Sequence, residues 1–213
     1  MEKVKTAVIF AGGALQMPEW VSLPADAVII CADSGLRHAR ALGIEPDWIL
    51  GDFDSSQEQP TGAHVLRYPP EKDDTDTMLA VKFALSLGVV HIDIYGGLGG
   101  RLDHMIANLQ VLRYLTEQGA EGTLCDAQNW MTVQNAGTTR QYPKRDGWYF
   151  SLLSLSDCCT GVSISGTKYC LQNGTLSGNF PLGVSNEIEA EQAEVTIQQG
   201  SLLVLYAKDY EVK

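Results

Sequence analysis

Short, continuous apolar runs that end in glycine or aspartate constrain this chain more than any other feature. Thr6-Ala7-Val8-Ile9-Phe10 ends in Ala11-Gly12-Gly13, and Ala27-Val28-Ile29-Ile30-Cys31-Ala32 ends in Asp33-Ser34-Gly35. Trp48-Ile49-Leu50 ends in Gly51-Asp52-Phe53-Asp54, and Val89 to Tyr95 ends in Gly96-Gly97-Leu98-Gly99-Gly100-Arg101. Runs without alternation read as strands buried on both faces, which is the signature of a parallel sheet covered by helices. His64-Val65-Leu66-Arg67-Tyr68 and Glu121 to Asp126 add two more strands.

Helical stretches separate these runs. Leu36 to Leu42 is closed by Gly43 and Pro46, Thr75 to Leu87 by Gly88, and Leu102 to Gln118 by Gly119. Asp73, Asp74 and Asp76 crowd the start of the second helix, where carboxylates suit the helix dipole. After Gln128 the helical pattern stops. Trp130 to Val133, Trp148 to Leu155, Gly161 to Ile164, Val195 to Ile197 and Ser201 to Tyr206 read as strands between Gly, Asn, Asp and Ser turns. The expectation is an α/β domain over residues 1–130, with a mostly parallel sheet and helices on both faces, followed by an all-β sandwich over 131–213.

In such a sheet, ligands bind outside the carboxyl ends of the strands. Gly12-Gly13, Asp33-Ser34-Gly35, Gly51 to Asp54 and Gly96 to Arg101 all follow predicted strands, so they share one rim. Asp52 and Asp54 are two apart; on an extended backbone their carboxylates leave the same face. Carboxylates gathered there suit Mg²⁺ shared with substrate phosphates, whereas a lone Asp-x-Asp is equally a turn. The Gly96–Arg101 loop fits neither G-x-G-x-x-G nor the P-loop. Its glycines would let a phosphate approach the backbone, and Arg101 offers a planar fork of donors. His104 reads as a polar helix-start residue. Gly161 to Lys168 has P-loop glycine spacing but reverses Lys and Thr in a strand-rich region, and is rejected.

A net charge of -11 disfavours nucleic acid as a partner. The N-terminus runs straight into a strand, and no stretch is long enough to span a bilayer, so neither a signal peptide nor a membrane segment is expected. The odd count of 5 cysteines, with no C-x-x-C, reads as buried thiols in a reducing cytoplasm.

Together these motifs resemble the thiamine pyrophosphokinase family. The resemblance is carried by Ala32-Asp33-Ser34-Gly35, Gly51-Asp52-Phe53-Asp54-Ser55, Asp73-Asp74-Thr75-Asp76, Gly96 to His104 and Gly183-Val184-Ser185-Asn186-Glu187. It implies Mg²⁺-dependent transfer of a pyrophosphoryl group from ATP to the thiamine hydroxyl, with release of AMP, by a homodimer whose active sites lie between subunits. It also implies a β-sandwich that helps bind thiamine. By the same resemblance, Asp33, Asp52, Asp54 and Asp76 organise metal and phosphates, and Asp52, Asp54 or Asp76 accepts the hydroxyl proton. Gly12, Gly13, Asp33, Arg101 and Asp103 belong to the ATP site; Lys72, Thr75, Ser185 and Asn186 belong to the thiamine site. Ser34 stands where some members have glycine. Tyr169 and Trp148 are candidates for the aromatic wall, although no motif places them. A dinucleotide oxidoreductase fails on glycine spacing. A thiamine or nucleotide sensor would not need a polyphosphate site, and nothing in the tail marks a docking module.

Overall fold

The computed structural model describes residues 6–17, 23–53, 64–69, 71 and 73–209, in two compact units, 1–127 and 128–213. The first unit contains β1 (Thr6–Phe10), β2 (Val28–Ala32), α1 (Leu36–Ala41), β3 (Trp48–Gly51) and β4 (His64–Arg67). It continues with α2 (Asp76–Ser86), β5 (His91–Tyr95), α3 (Leu102–Glu117) and β6 (Glu121–Cys125). All six strands are parallel, in the order β4-β3-β2-β1-β5-β6. Ala7, Val8, Ile9, Ile30, Leu50, Ile94 and Leu124 are fully buried in it, as the continuous apolar runs require.

The strand order reverses between β1 and β5. Connections leading to β3 and to β5 therefore run in opposite directions along the sheet. Because crossovers of this kind are right-handed, α1 takes one face and α2 and α3 take the other. α2 packs on β1, β2 and β3 and against α3. Each helix stops where a C-terminal glycine adopts the left-handed conformation, as at Gly43, Gly88 and Gly119.

The second unit is antiparallel throughout. Its strands are β7 (Asn129–Asn135), β8 (Thr138–Pro143), β9 (Tyr149–Ser154), β10 (Cys158–Ser165), β11 (Leu171–Ser177), β12 (Gln192–Ile197) and β13 (Ser201–Ala207). β13 pairs with β7 and β9, while a second sheet runs β11-β10-β12-β8. Phe150, Leu152, Val204 and Tyr206 from one layer share a single core with Tyr142, Val162, Leu176 and Val195 from the other, which makes this unit a sandwich.

Three expectations are corrected. β8 and β11 have no apolar run, and the sequence missed them; they are the two edges of their sheet, where polar residues face water. Cys158 and Cys170 are exposed thiols, not buried ones. Cys158 and Cys159 are consecutive in β10, so they point to opposite faces and only Cys159 enters the core. Finally, β3 ends at Gly51 and Phe53 has φ +57°, so the backbone is not extended through Asp52-Phe53. The same-face argument for Asp52 and Asp54 therefore lacks its premise, and Asp54 itself lies outside the described residues, as does Lys72.

Candidate active site

At the switch point the ends of β1 and β5 are tied together. The Ala11 N–H donates to the Tyr95 carbonyl at 2.7 Å, and the Gly13 N–H donates to the Gly96 carbonyl at 2.8 Å. A side chain at Gly13 would stand 2.5 Å from that same Gly96 oxygen, so this contact requires glycine. On the other side of the turn, Arg37 of α1 donates from Nη2 to the carbonyls of Gly12 (2.6 Å) and Gly13 (3.2 Å). His38 Nε2 lies 2.7 Å from the Gly13 oxygen, so the neutral ring carries its proton there. Burial holds the His38 imidazole below its ordinary pKa.

Beyond β2, Asp33 opens a single 3₁₀ turn with φ +46°, an uncommon conformation for a residue with a side chain. Gly51, at the end of the neighbouring β3, has no side chain to obstruct it. A β-carbon there would lie 3.0 Å from the Asp33 β-carbon and 3.1 Å from its Oδ1. Gly51 thus makes room for a carboxylate of the same chain. Next along, Phe53 is buried beneath the Arg67 guanidinium, 5.1 Å from its ring centre, and anchors the segment that carries Asp52.

Two helix starts complete the rim. Thr75 caps α2, its Oγ1 accepting the Met78 N–H at 3.2 Å, and Asp76 is the first helical residue. Asp74 is held by Lys82 Nζ at 2.8 and 2.7 Å. At α3, Arg101 forks onto Asp103 through Nε–Oδ1 (3.1 Å) and Nη2–Oδ2 (2.5 Å), and the His104 N–H adds a bond to Oδ1 at 2.9 Å. The Arg101 hydrogen bond brings the exposed Asp103 carboxyl down to about 2. Deeper in, the buried Asn108 of α3 donates from Nδ2 to the Gly97 carbonyl at 2.8 Å and fixes the glycine-rich loop.

These segments enclose a cleft of about 600 Å³. Its walls bring together Gly12, Gly13, Asp33, Asp52, Thr75, Asp76 and Arg101, all expected from sequence. Asp103 does not line it; it holds Arg101 instead. His104 does line it. Sequence reasoning missed Arg37, Asn108 and Asp74 as cleft residues. Arg37 sits one turn after Asp33-Ser34-Gly35, in a helix whose local sequence signals only its end; Asn108 lies inside α3, eleven residues from the Gly97 carbonyl it binds, and no local motif links them. Among the described residues no three acidic, His or Cys side chains converge as a metal cluster.

Ser185 and Asn186 belong to the second unit. Ser185 has φ +60°, and its N–H donates to Ser151 Oγ at 3.0 Å. Asn186 is buried, and its side chain makes three hydrogen bonds to neighbouring backbone. Its Oδ1 accepts from the N–H groups of Tyr169 (3.0 Å) and Glu187 (2.9 Å), and its Nδ2 donates to the Tyr169 carbonyl (2.8 Å). Tyr169 is 65% exposed. Trp148 packs on the sandwich core, with Arg145 5.5 Å and Lys208 5.3 Å from its ring centre.

Two family models match this chain: thiamin pyrophosphokinase, catalytic domain, over residues 22–124, and thiamin pyrophosphokinase, vitamin B1 binding domain, over 139–204. A crystal structure of a thiamin pyrophosphokinase family protein from Enterococcus faecalis is 30% identical, covering 97% of this chain and 100% of that one, with a TM-score of 0.84. The chain belongs to the thiamin pyrophosphokinase family. Thiamine pyrophosphokinase from Bacillus subtilis is 29% identical over 216 residues, 97% of this chain and all of that one. The crystal structure of the Bacillus subtilis thiamine pyrophosphokinase superposes with a TM-score of 0.89 at the same coverage. Within the thiamin pyrophosphokinase fold, the catalytic-domain match spans every loop of the cleft except the Ala11–Ala14 turn.

Proposed function

We propose that the 600 Å³ cleft is where this thiamine pyrophosphokinase moves a pyrophosphoryl group from ATP to the hydroxyl of thiamine, forming thiamine diphosphate and AMP. One observation carries the assignment to this cleft. Asp33, Asp52 and Asp76 come from three separate element ends, and they line the same cavity as the glycine turns at the switch point.

The alcohol oxygen attacks the β-phosphorus of ATP, and the bond from that phosphorus to the AMP oxygen breaks. The hydroxyl proton passes to a carboxylate, for which Asp52, Asp54 and Asp76 are the candidates. Little else is asked of the protein than alignment and charge control. The glycine turns hold the nucleotide close to the backbone, while Arg101 is aimed by Asp103 as a positioning pair.

The donor set is all carboxylate oxygen, which fits Mg²⁺. Asp33, Asp52 and Asp76, which line one cleft, would hold it together with Asp54 and with phosphate oxygens and water, as suits a cation rarely caged by protein alone. When bound, Mg²⁺ neutralises charge on the group in transfer.

For thiamine, the second unit offers Ser185, with Asn186 shaping the turn that presents it; Lys72 and Thr75 are the candidates from the first unit. The vitamin B1 binding model over 139–204 supports this division of labour between the units. A homodimer is part of the same proposal, supported by Phe180, Leu182 and Val184, which are exposed at 64%, 59% and 49% on one loop. A cytoplasmic location is supported by the free state of the cysteines. No helix among the described residues is long and apolar enough to cross a membrane.

The deciding assay mixes ATP, Mg²⁺ and thiamine and measures AMP. Thiamine-dependent AMP matched by thiamine diphosphate is expected. Release of inorganic phosphate in place of AMP, or AMP formed equally without thiamine, would overturn the proposal.

A further inference from the structure

We infer that Arg37 contacts the polyphosphate chain of the nucleotide; this rests on the reading of the cleft as an ATP site. Among the described residues, a polyanionic triphosphate chain entering the cleft meets the lining carboxylates Asp33, Asp52, Asp74 and Asp76 against the guanidiniums of Arg37 and Arg101. Arg101 is already forked onto Asp103, so part of its charge and two of its donors are committed. Arg37 is not in this position. Among the described residues its hydrogen bonds run from Nη2 to carbonyl oxygens and none to a carboxylate. Its full charge and the donors of Nε and Nη1 remain for a ligand.

The contacts that Arg37 does make also favour an anion. Carbonyl oxygens at the mouth of a phosphate site present the negative ends of their dipoles. Arg37 covers both the Gly12 and Gly13 oxygens, and His38 shares the second. The same two bonds fix the guanidinium against the first glycine turn, so it is oriented before the nucleotide arrives. Arg37 can be changed without dissolving the turn: the Gly13 carbonyl keeps His38 and the Gly13 N–H keeps Gly96.

The test compares Arg37→Gln and Arg37→Lys with wild type, using inorganic tripolyphosphate and adenosine as separate probes of the two ends of the nucleotide. In calorimetry, Arg37→Gln is expected to weaken tripolyphosphate about tenfold or more, the scale of a lost charge-assisted contact, and to leave adenosine unchanged. Arg37→Lys recovers part of the loss, because it keeps the charge without the fork. In turnover, KM for ATP rises by a similar factor while KM for thiamine is unaltered. Parallel weakening of adenosine and tripolyphosphate would make Arg37 a support for the glycine turn, and unchanged tripolyphosphate binding would remove it from the site; either result overturns the inference. The calorimetric comparison stands apart from catalysis, so a wild type that forms no AMP would defeat the proposed activity and leave the Arg37 result legible.

Discussion

Gly51 and Asp33 come from adjacent strand ends, and the missing side chain of one is the space used by the other: an added β-carbon would lie 3.0 Å from Asp33 Cβ. Gly51→Ala is therefore expected to push Asp33 by a few tenths of an ångström or more. Turnover should fall about 10- to 10²-fold, the scale on which small misplacements act. Circular dichroism should show the fold retained. An alanine variant with wild-type turnover would mean that Asp33 has freedom to move.

Asp76 has two roles that one variant separates. As the first residue of α2 it faces the positive end of the helix, a contribution of about 0.3–1 kcal/mol that Asp76→Asn gives up. As a cleft carboxylate it should matter far more to chemistry. The expected outcome is a small drop in the urea midpoint, a loss of at least about 10²-fold in turnover, and a raised Mg²⁺ requirement. Equal, modest effects on stability and rate would confine Asp76 to helix capping.

The Arg101–Asp103 fork makes a pH prediction. Asp103 titrates at about 2 in place of 3.8 because the paired guanidinium favours its charged form. The folded value is the lowered one, so the pair is intact above the ordinary carboxylate range and is lost as pH falls towards about 2. NMR of the Asp103 carboxyl should follow this course, and in Arg101→Gln it should titrate near its ordinary value. Both side chains are well exposed, so global stability should change little.

Asn186 should behave as a structural residue of the sandwich. Asn186→Ala removes three hydrogen bonds to the backbone of Tyr169 and Glu187, at a cost of about 2 kcal/mol in denaturant unfolding. The Ser185 hydroxyl makes no such bond among the described residues, so Ser185→Ala should leave stability within about 0.5 kcal/mol while raising KM for thiamine. The reverse pattern would exchange their roles.

The thiols report on burial. Burial pushes Cys31 up to about 12 and also raises Cys159, so neither forms thiolate readily. Brief alkylation of the native protein followed by mass spectrometry should mark Cys158 and Cys170 first, with Cys31, Cys125 and Cys159 reacting only on unfolding.

Much of this was legible in the order of residues alone. Continuous apolar runs announce strands covered on both faces, and the end of each run marks the rim where Asp33, Asp52 and the glycine turns meet. The change from helical spacing to strands near residue 130 announces a second unit. Such features are local: hydrophobic period and turn chemistry are written in neighbouring residues. What only the tertiary structure decided is who touches whom across long separations. It gave Gly51 to Asp33, Arg37 to the carbonyls of Gly12 and Gly13, Asn108 to Gly97, and Asn186 to Tyr169. It also turned the backbone at Phe53 out of the extended form. No spacing rule reaches these contacts, because each depends on how separate elements pack and on which side chain then fills the space between them.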